Sequence, residues 1–285
     1  MCAYNEADNI ERSIRSVYEQ KTDFKIKNVI VVSSGSMDGT DDIVRDLMQT
    51  FPSLRLIRQE TRMGKNSAMN LILENNRSEI ITIINADTVL LDENAIANLI
   101  APFDDDSVGI VGGRPIPVND RNTLAGFASN MMWVMHHHIS LITPKIGELI
   151  AFRDIGVRLP MDSQSDEDIL KMALMKNGYK AAYAPGARIS IKGPETVDDF
   201  MKQRVRVNIG QIYMTKNHQF MQPAWHKRFL IPAIFNTVWD LGFHPIMISH
   251  SILLELRARS AAKKHVAEQK KDIHTWDPVG STKRL

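Results

Sequence analysis

The sequence predicts an α/β fold: a mostly parallel central sheet with helices on both faces, followed by C-terminal helices. Three observations predict it. Strand-like and helix-like segments alternate along residues 10–85. The strand-like runs are apolar nearly throughout, as strands covered on both faces are. Each run also stops abruptly in polar residues. "TIINADTVL" (residues 82–90) passes from β-branched residues straight into Asn85-Ala86-Asp87.

Taken in order, Ile10, Ile14, Val17 and Tyr18 recur at helical spacing behind Asn9, a suitable cap. "NVIVV" (28–32) is a β-branched run bounded by polar residues, hence a buried strand. "DDIVRDLM" (41–48) is a helix with acids in its first turn, where the macrodipole favours them. "LRLI" (54–57) is a strand, "GKNSAMNLILEN" (64–75) a helix and "IITIIN" (80–85) a strand. In open sheets of this kind ligands sit beyond the carboxyl ends of the strands. Four segments lie there: Tyr4-Asn5-Glu6, "SSGSMDGT" (33–40), "ETRMGKNSAMN" (60–70) and "NAD" (85–87). Glycine, serine and backbone N–H groups at loop-to-helix junctions can cradle phosphates. One such loop is an ordinary turn signal; four in order on one sheet edge form a set.

Composition bounds the function. With 285 residues, 44% hydrophobic and 24% charged, the chain has room for one large domain or a domain plus an appendage. A net charge of +2 supplies no global field for nucleic acid. The single cysteine, Cys2, excludes a disulfide framework or a Cys-based zinc site and suits a reducing compartment. The N-terminus is polar almost at once, with no leader pattern.

"AYNEADNIERSI", "SSGSMDGT", "RMGKNSAMN", "NADT", "GELIAFR", "DEDILKMALMKNGYKAAYAP" and "QRVRVNIG" occur in the order found in family 2 glycosyltransferases of the GT-A fold. The chain resembles that family over about residues 3–215. The resemblance implies a nucleotide-sugar-binding half at 1–112, an acceptor-binding and catalytic half at 113–223, and apolar, basic helices at 224–285. It implies an inverting transfer from a nucleotide-diphosphate sugar, with Mn2+ or Mg2+ on the diphosphate. A D-x-D at a strand end holds that metal in the family; here Asn85 replaces the first Asp, which leaves Asp87 as the charged ligand. Ala3, Tyr4, Glu6, Ser34, Asp38, Arg62, Lys65, Asn85, Ala86, Gln203 and Arg206 fall at donor-side positions. Ser33 and Ser34 stand where the family carries acids that help recognise the nucleobase, so uridine and guanosine both stay open.

In "SQSDEDILKMALMKNGYK" (163–180) Ser165 is an N-cap candidate with Asp168 three residues on, an approximate capping box. Ile169, Met172, Ala173 and Met175 read as the buried side, and Gly178 as the stop. The plain reading is acids complementing a helix dipole. The resemblance makes Asp168 the general base for the acceptor hydroxyl and Glu167 its neighbour. Gln203, Arg206, Val207 and Gly210 share a helix face, with Arg204 pointing elsewhere. Val207 stands where polysaccharide synthases of the family carry Trp, which argues for a single transfer or a different acceptor platform. Gly147 and Glu148 match the acceptor-side segment. The three histidines 136–138 lack the spacing of a helical metal pair; a helix packing Met131, Trp133 and Met135 is the better reading.

Residues 229–256 carry only Asp240 and Glu255 as formal charges, are broken by "DLGFHP", and are flanked by Lys227 and Arg228 on one side and Arg257, Arg259, Lys263 and Lys264 on the other. Two interfacial helices on a membrane surface account for all three features. Packing on the enzyme core or on a second copy, and true spanning, are the other readings. Residues 261–285 are charged and expected to be mobile. The resemblance also implies a full apolar strand ahead of Ala3-Tyr4. Only Met1-Cys2-Ala3 is present, so that strand is either clipped or begins upstream, and a short central strand would expose its parallel neighbours and lower stability. The expected acceptor is a glycan or a lipid-linked sugar or phosphate, at the cytoplasmic, inner face of the cell membrane. A nucleotidyltransferase on a related sheet and a non-catalytic nucleotide-sugar-binding scaffold are the alternatives.

Overall fold

Apolar runs become strands and amphipathic runs cover them. The computed structural model describes residues 1–161, 165–218, 223–268 and 282. Residues 163 and 164 of the acidic segment, and 269–281 and 283–285 of the tail, lie outside the described residues. Two compact units emerge, and they do not follow chain order. Among the described residues, one comprises Met1–Arg114 with Ile146–Ser190, the other Pro115–Lys145 with Ile191–Thr282. Segment 146–190 joins the first unit because its strands pair with strands formed before residue 115.

The first unit runs β1 (Cys2–Ala3), α1 (Ile10–Tyr18), β2 (Val29–Ser34), α2 (Thr40–Thr50), β3 (Leu54–Gln59), α3 (Lys65–Asn75), β4 (Ile80–Ile84), β5 (Val89–Leu90), α4 (Ala95–Ile100) and β6 (Val108–Pro117), whose last residues enter the second unit. It resumes with β7 (Leu149–Arg153), α6 (Asp166–Lys176) and β8 (Lys180–Ile191), after α5 (Leu124–Ile142). β1, β2 and β3 form a parallel sheet in the order β1-β2-β3. A second sheet has the order β4-β7-β6-β8-β5, and its β4–β7, β6–β7 and β5–β8 pairs are antiparallel. Parallel pairing therefore belongs to the three-stranded sheet, and antiparallel pairing enters with the later strands. Ile10, Ile14, Val31, Val32 and Leu54 are wholly buried at this core.

β1 holds only two residues and meets β4's end through one bridge, Cys2 to Asn85. The Met1 amine donates to Ile30 O at 2.7 Å, and burial lowers its pKa. Beside it lies a cavity of about 410 Å³ lined by Ile30, Ile72, Ile81, Ile84 and Ile96 among others. These lining residues come from β2, α3, β4 and α4.

Several local readings change. Asn9 and Ser165 occupy N-cap positions, but neither side chain makes a capping bond. Asn9 Nδ2 instead donates to Glu6 Oε2 at 3.1 Å. The buried face of α6 is Ile169, Leu170 and Leu174; Met175 is 51% exposed. The face is rotated because Asp166, Asp168 and Lys171 are buried as well. Gly178 follows the helix at φ +88, the left-handed stop the sequence signals.

The second unit holds α5, α7 (Val197–His218), α8 (Lys227–Leu241) and α9 (Pro245–Ala267). Thr123 caps α5 by accepting from Gly126 N at 3.1 Å. Asn119 exchanges two bonds with Gly193, at 2.8 and 2.7 Å, where any Cβ would fall 2.7 Å from Ser129 Oγ. Small apolar clusters join the helices: Phe127, Met131 and Leu241; Ala128, Phe200 and Leu254; Ile209, Ala262 and Val266. Gly242, at φ +81, separates α8 from α9. α9 continues to Ala267, so residues 261–267 are helical rather than mobile; Ala262 and Val266 anchor them. No helix among the described residues is long and apolar enough to cross a membrane.

Candidate functional site

The strand-end loops of the first unit are tied to one another. Asn5, at φ +52, donates its N–H to Ser36 Oγ at 3.1 Å and accepts from Met37 N at 2.9 Å. Glu6 N donates to Thr40 Oγ1 at 2.8 Å. Asp38 accepts from Ala7 N and Thr40 N, both at 3.0 Å. Burial acts to raise its pKa, and these bonds outweigh that and lower it. The carboxylate assigned to the donor thus also locks two loops. Ser34 Oγ accepts from Met63 N at 2.9 Å, which joins the β2 and β3 ends. Gly35, at φ +70, lies where a Cβ would come within 2.6 Å of Arg62 N. Arg62 in turn lies over the Tyr4 ring at 4.2 Å, so two donor-side residues meet as a cation–π pair.

The second cluster is acidic around one lysine. Lys65, at the start of α3, reaches Asp166 and Glu167 at the start of α6, each at 2.8 Å. Burial opposes its charge, yet the two carboxylates hold its pKa well above normal. Burial and then the Glu167 charge push Asp166 up to about 7, against the pull of Lys65. Burial acts to raise Glu167 too, but Lys65 and the bonds it receives bring it down. The two carboxyls are coupled through Lys65 and through each other, so they titrate as a pair. Asp168 is buried, and its charge acts on Lys171 one turn along.

Glu148 links these carboxylates to the end of β4. Asn85 Nδ2 donates to Glu148 Oε2 at 2.5 Å. Glu148 sits at φ +59, a conformation that a side chain adopts at a cost of roughly 1–3 kcal/mol and that clusters at functional sites. Burial pushes its carboxyl up to about 7; Lys65 pulls against this, while Asp87 and Glu167 add to it. Asp87, Glu148, Glu167 and Lys65 thus share one electrostatic neighbourhood. Ala3 and Ala86 are buried beside it as backbone positions, and Gly147 carries the turn into β7, its O accepting from Leu149 N at 2.7 Å. Oxygen donors crowded against burial fit a hard divalent cation. Among the described residues no three His, Cys, Asp or Glu side chains form a metal-holding group by themselves.

The sequence reading passed over three contributors. Asp166 reads in the sequence only as one of the acids in a helix's first turn. Asn66 and Asn70, four apart on α3, hold the segment ahead of α6. Asn66 Nδ2 donates to Pro160 O at 2.7 Å, and Asn70 exchanges bonds with Leu159 at 2.9 and 2.8 Å. Their i, i+4 spacing was the available signal.

Gln203, Arg206 and Val207 lie on α7 in the second unit. Gln203 Oε1 is buried with no hydrogen-bond partner among the described residues. Arg204, on another face, pairs with Glu255 of α9 at 2.8 Å. The histidines diverge: His136 is buried near Trp133 and kept neutral by burial, then by Lys145 and His137, while His138 meets Asp240 at 2.8 Å.

A sequence model described as Glycosyl transferase family 2 matches residues 1–163. The poly-beta-1,6-N-acetyl-D-glucosamine synthase of Staphylococcus aureus (strain MSSA476) is 25% identical over 220 residues, 72% of this chain and 52% of that protein. The synthase of the same name from Staphylococcus epidermidis (strain ATCC 35984) is 24% identical over the same shares. The chain spans about half the length of the curated relatives it matches. Among solved structures, the mannosyltransferase PcManGT from Pyrobaculum calidifontis, in complex with GDP-Man and Mn2+, superposes with a TM-score of 0.67 at 23% identity, over 95% of this chain and 86% of that one. Staphylococcus aureus TarS 1-349, in complex with UDP-GlcNAc, gives 0.53 at 14%, over 94% and 90%. At these identities the solved structures establish a shared fold.

Proposed function

We propose, for a chain that belongs to glycosyl transferase family 2, that the first unit transfers a sugar from a nucleotide-diphosphate donor to a hydroxyl or lipid-phosphate acceptor with inversion. The observation that carries this reading is the shared neighbourhood of Asp87, Glu148, Glu167 and Lys65 at the carboxyl end of β4. Asp87 would hold Mn2+ or Mg2+ together with donor oxygens, and the metal would neutralise charge on the departing diphosphate. Asn85 adds no charge; its amide fixes Glu148. Arg62 and Lys65 supply cations on the donor side. Inversion requires one base opposite the leaving group and no nucleophilic carboxylate.

The base is a carboxylate at the start of α6. The resemblance points to Asp168. What supports the Asp166–Glu167 pair instead is its contact with Lys65 on the donor side. The proposed acceptor is a glycan or lipid-linked sugar, and the proposed place is the cytoplasmic, inner face of the cell membrane. Support for that location comes from the apolar, cation-flanked helices α8 and α9. Incubating the protein with UDP-GlcNAc, GDP-Man and other nucleotide sugars, with and without Mn2+, tests the reading. Release of UDP or GDP supports transfer. Release of pyrophosphate instead means a nucleotidyltransferase, and tight binding without turnover means a scaffold.

A further inference from the structure

The apolar residues of α8 do not all face inward. Ala233, Thr237 and Leu241 form its buried side. Ile231, Phe235 and Trp239, spaced i, i+4 and i+8, share the opposite side, and Phe243 and Ile246 continue it through the turn into α9. These five residues are between 64% and 80% exposed. Single exposed apolar side chains are ordinary, but a run of five that includes Trp and two Phe marks a surface that is covered in use.

The geometry points to this face as a docking surface for an anionic lipid bilayer, in which the stripe enters the interfacial layer and flanking cations meet headgroup phosphates. Charge decides the occupant. Lys227 and Arg228 stand at the head of α8, and Arg257, Lys263 and Lys264 are exposed along α9. The two carboxylates between these flanks are already engaged inside the second unit. Asp240 meets His138, and Glu255 is held by Arg204 and Arg259. The five residues of the stripe carry no acid, and the carboxylates beside it are paired. A second copy on this face would bring the same cationic flanks against each other, since an isologous contact is made by one patch with itself. Trp and Phe suit the boundary between headgroups and acyl chains. With no helix among the described residues long and apolar enough to cross, the face lies on the membrane as an interfacial element. The inference deepens the location proposed above and is independent of the transfer chemistry.

Flotation with vesicles of phosphatidylcholine, and of phosphatidylcholine mixed with phosphatidylglycerol, tests it. The full chain floats with the mixed vesicles and much less with the neutral ones. The double variant Phe235→Ser/Trp239→Ser loses about tenfold or more in vesicle affinity, because it removes two large apolar areas that enter the interface. Lys227→Ser/Arg228→Ser loses affinity chiefly at low salt. Nucleotide binding with Mn2+ and the melting temperature of each variant report whether the fold survives. Undiminished flotation of the aromatic variant overturns the proposal. So does a dimer in light scattering that the aromatic variant dissolves while the parent ignores vesicles. Failure to float with intact nucleotide binding rejects the membrane face alone, and floating without nucleotide binding rejects the transfer reading alone.

Discussion

Helices α1 and α8 carry the same kind of apolar stripe and meet opposite fates. In α1, Ile10, Ile14 and Val17 turn inward and are buried. In α8, Ile231, Phe235 and Trp239 turn outward. Periodicity identifies which face of a helix is apolar, but not what lies against it. α1 follows a strand whose sheet provides the cover. α8 has its other face occupied by small residues, Ala233 and Thr237, which let it sit against its neighbours and leave the larger side chains outside. The first unit therefore spends its apolar surface on folding, and α8 keeps its own for something external. Substitutions sort accordingly: in the first unit they should strike chemistry or stability, and on the α8 stripe neither.

The largest effect is expected at the start of α6. Removing a general base lowers turnover by about 10²–10⁴. Glu167→Gln and Asp166→Asn should show that loss with donor affinity little changed, and Asp168→Asn a milder one. Sugar transfer measured beside nucleotide binding checks this. If Asp168→Asn alone abolishes transfer, the resemblance located the base better than the geometry did. If none of the three matters, the proposed mechanism fails.

Stability comes next. Ile14 is wholly buried, so Ile14→Ala should cost about 2–5 kcal/mol, read by denaturant titration. Gly35→Ala should cost roughly 1–3 kcal/mol or more. Its φ of +70 strains any side chain, and its Cβ meets backbone that cannot step aside, Arg62 N at 2.6 Å. That variant should also loosen the Tyr4–Arg62 pair and weaken donor binding. A loss of stability with unchanged donor binding would separate this loop from the site.

Acid sensitivity is expected in the second unit. Burial acts to raise Glu255, and Arg204 and then Arg259 outweigh it and bring it to about 2. A carboxyl depressed in the folded state adds stability above its unfolded value near 4.5, and that share is lost as pH falls from there towards 2. Glu255→Gln should remove roughly 2–3 kcal/mol at pH 7 and flatten the acid limb of the stability profile. An unchanged acid limb would mean that the α7–α9 clamp is idle in solution.

These contrasts show what the sequence could carry. The strands through residue 84, the helices between them and the polar strand ends were legible, because each is written in a contiguous run. Asn85-Ala86-Asp87 could be singled out from its place after such a run. The antiparallel half was not legible: β8 contains Pro185 and Gly186, and β7 consists of five residues that read equally well as a loop motif. The partnership of Lys65 with Asp166 and Glu167 spans about a hundred residues of chain, and only folding reveals it. The burial of α6 was misplaced because charged residues take core positions there once Lys65 neutralises two of them.

The smallest effect is the one that most sharpens the comparison. Trp239 is 80% exposed, so Trp239→Ser removes little that folding had buried, and the free energy of unfolding should move by less than about 0.5 kcal/mol. A tryptophan in a core would cost several times that. The measurement is the denaturant midpoint at two protein concentrations, without vesicles. An unchanged midpoint at both means that the stripe faces water when the protein is alone. A loss that grows with concentration means that a second copy covers it. A concentration-independent loss places Trp239 inside the fold. Either loss would erase the difference between α1 and α8 and, with it, the case for a surface held in reserve for lipid.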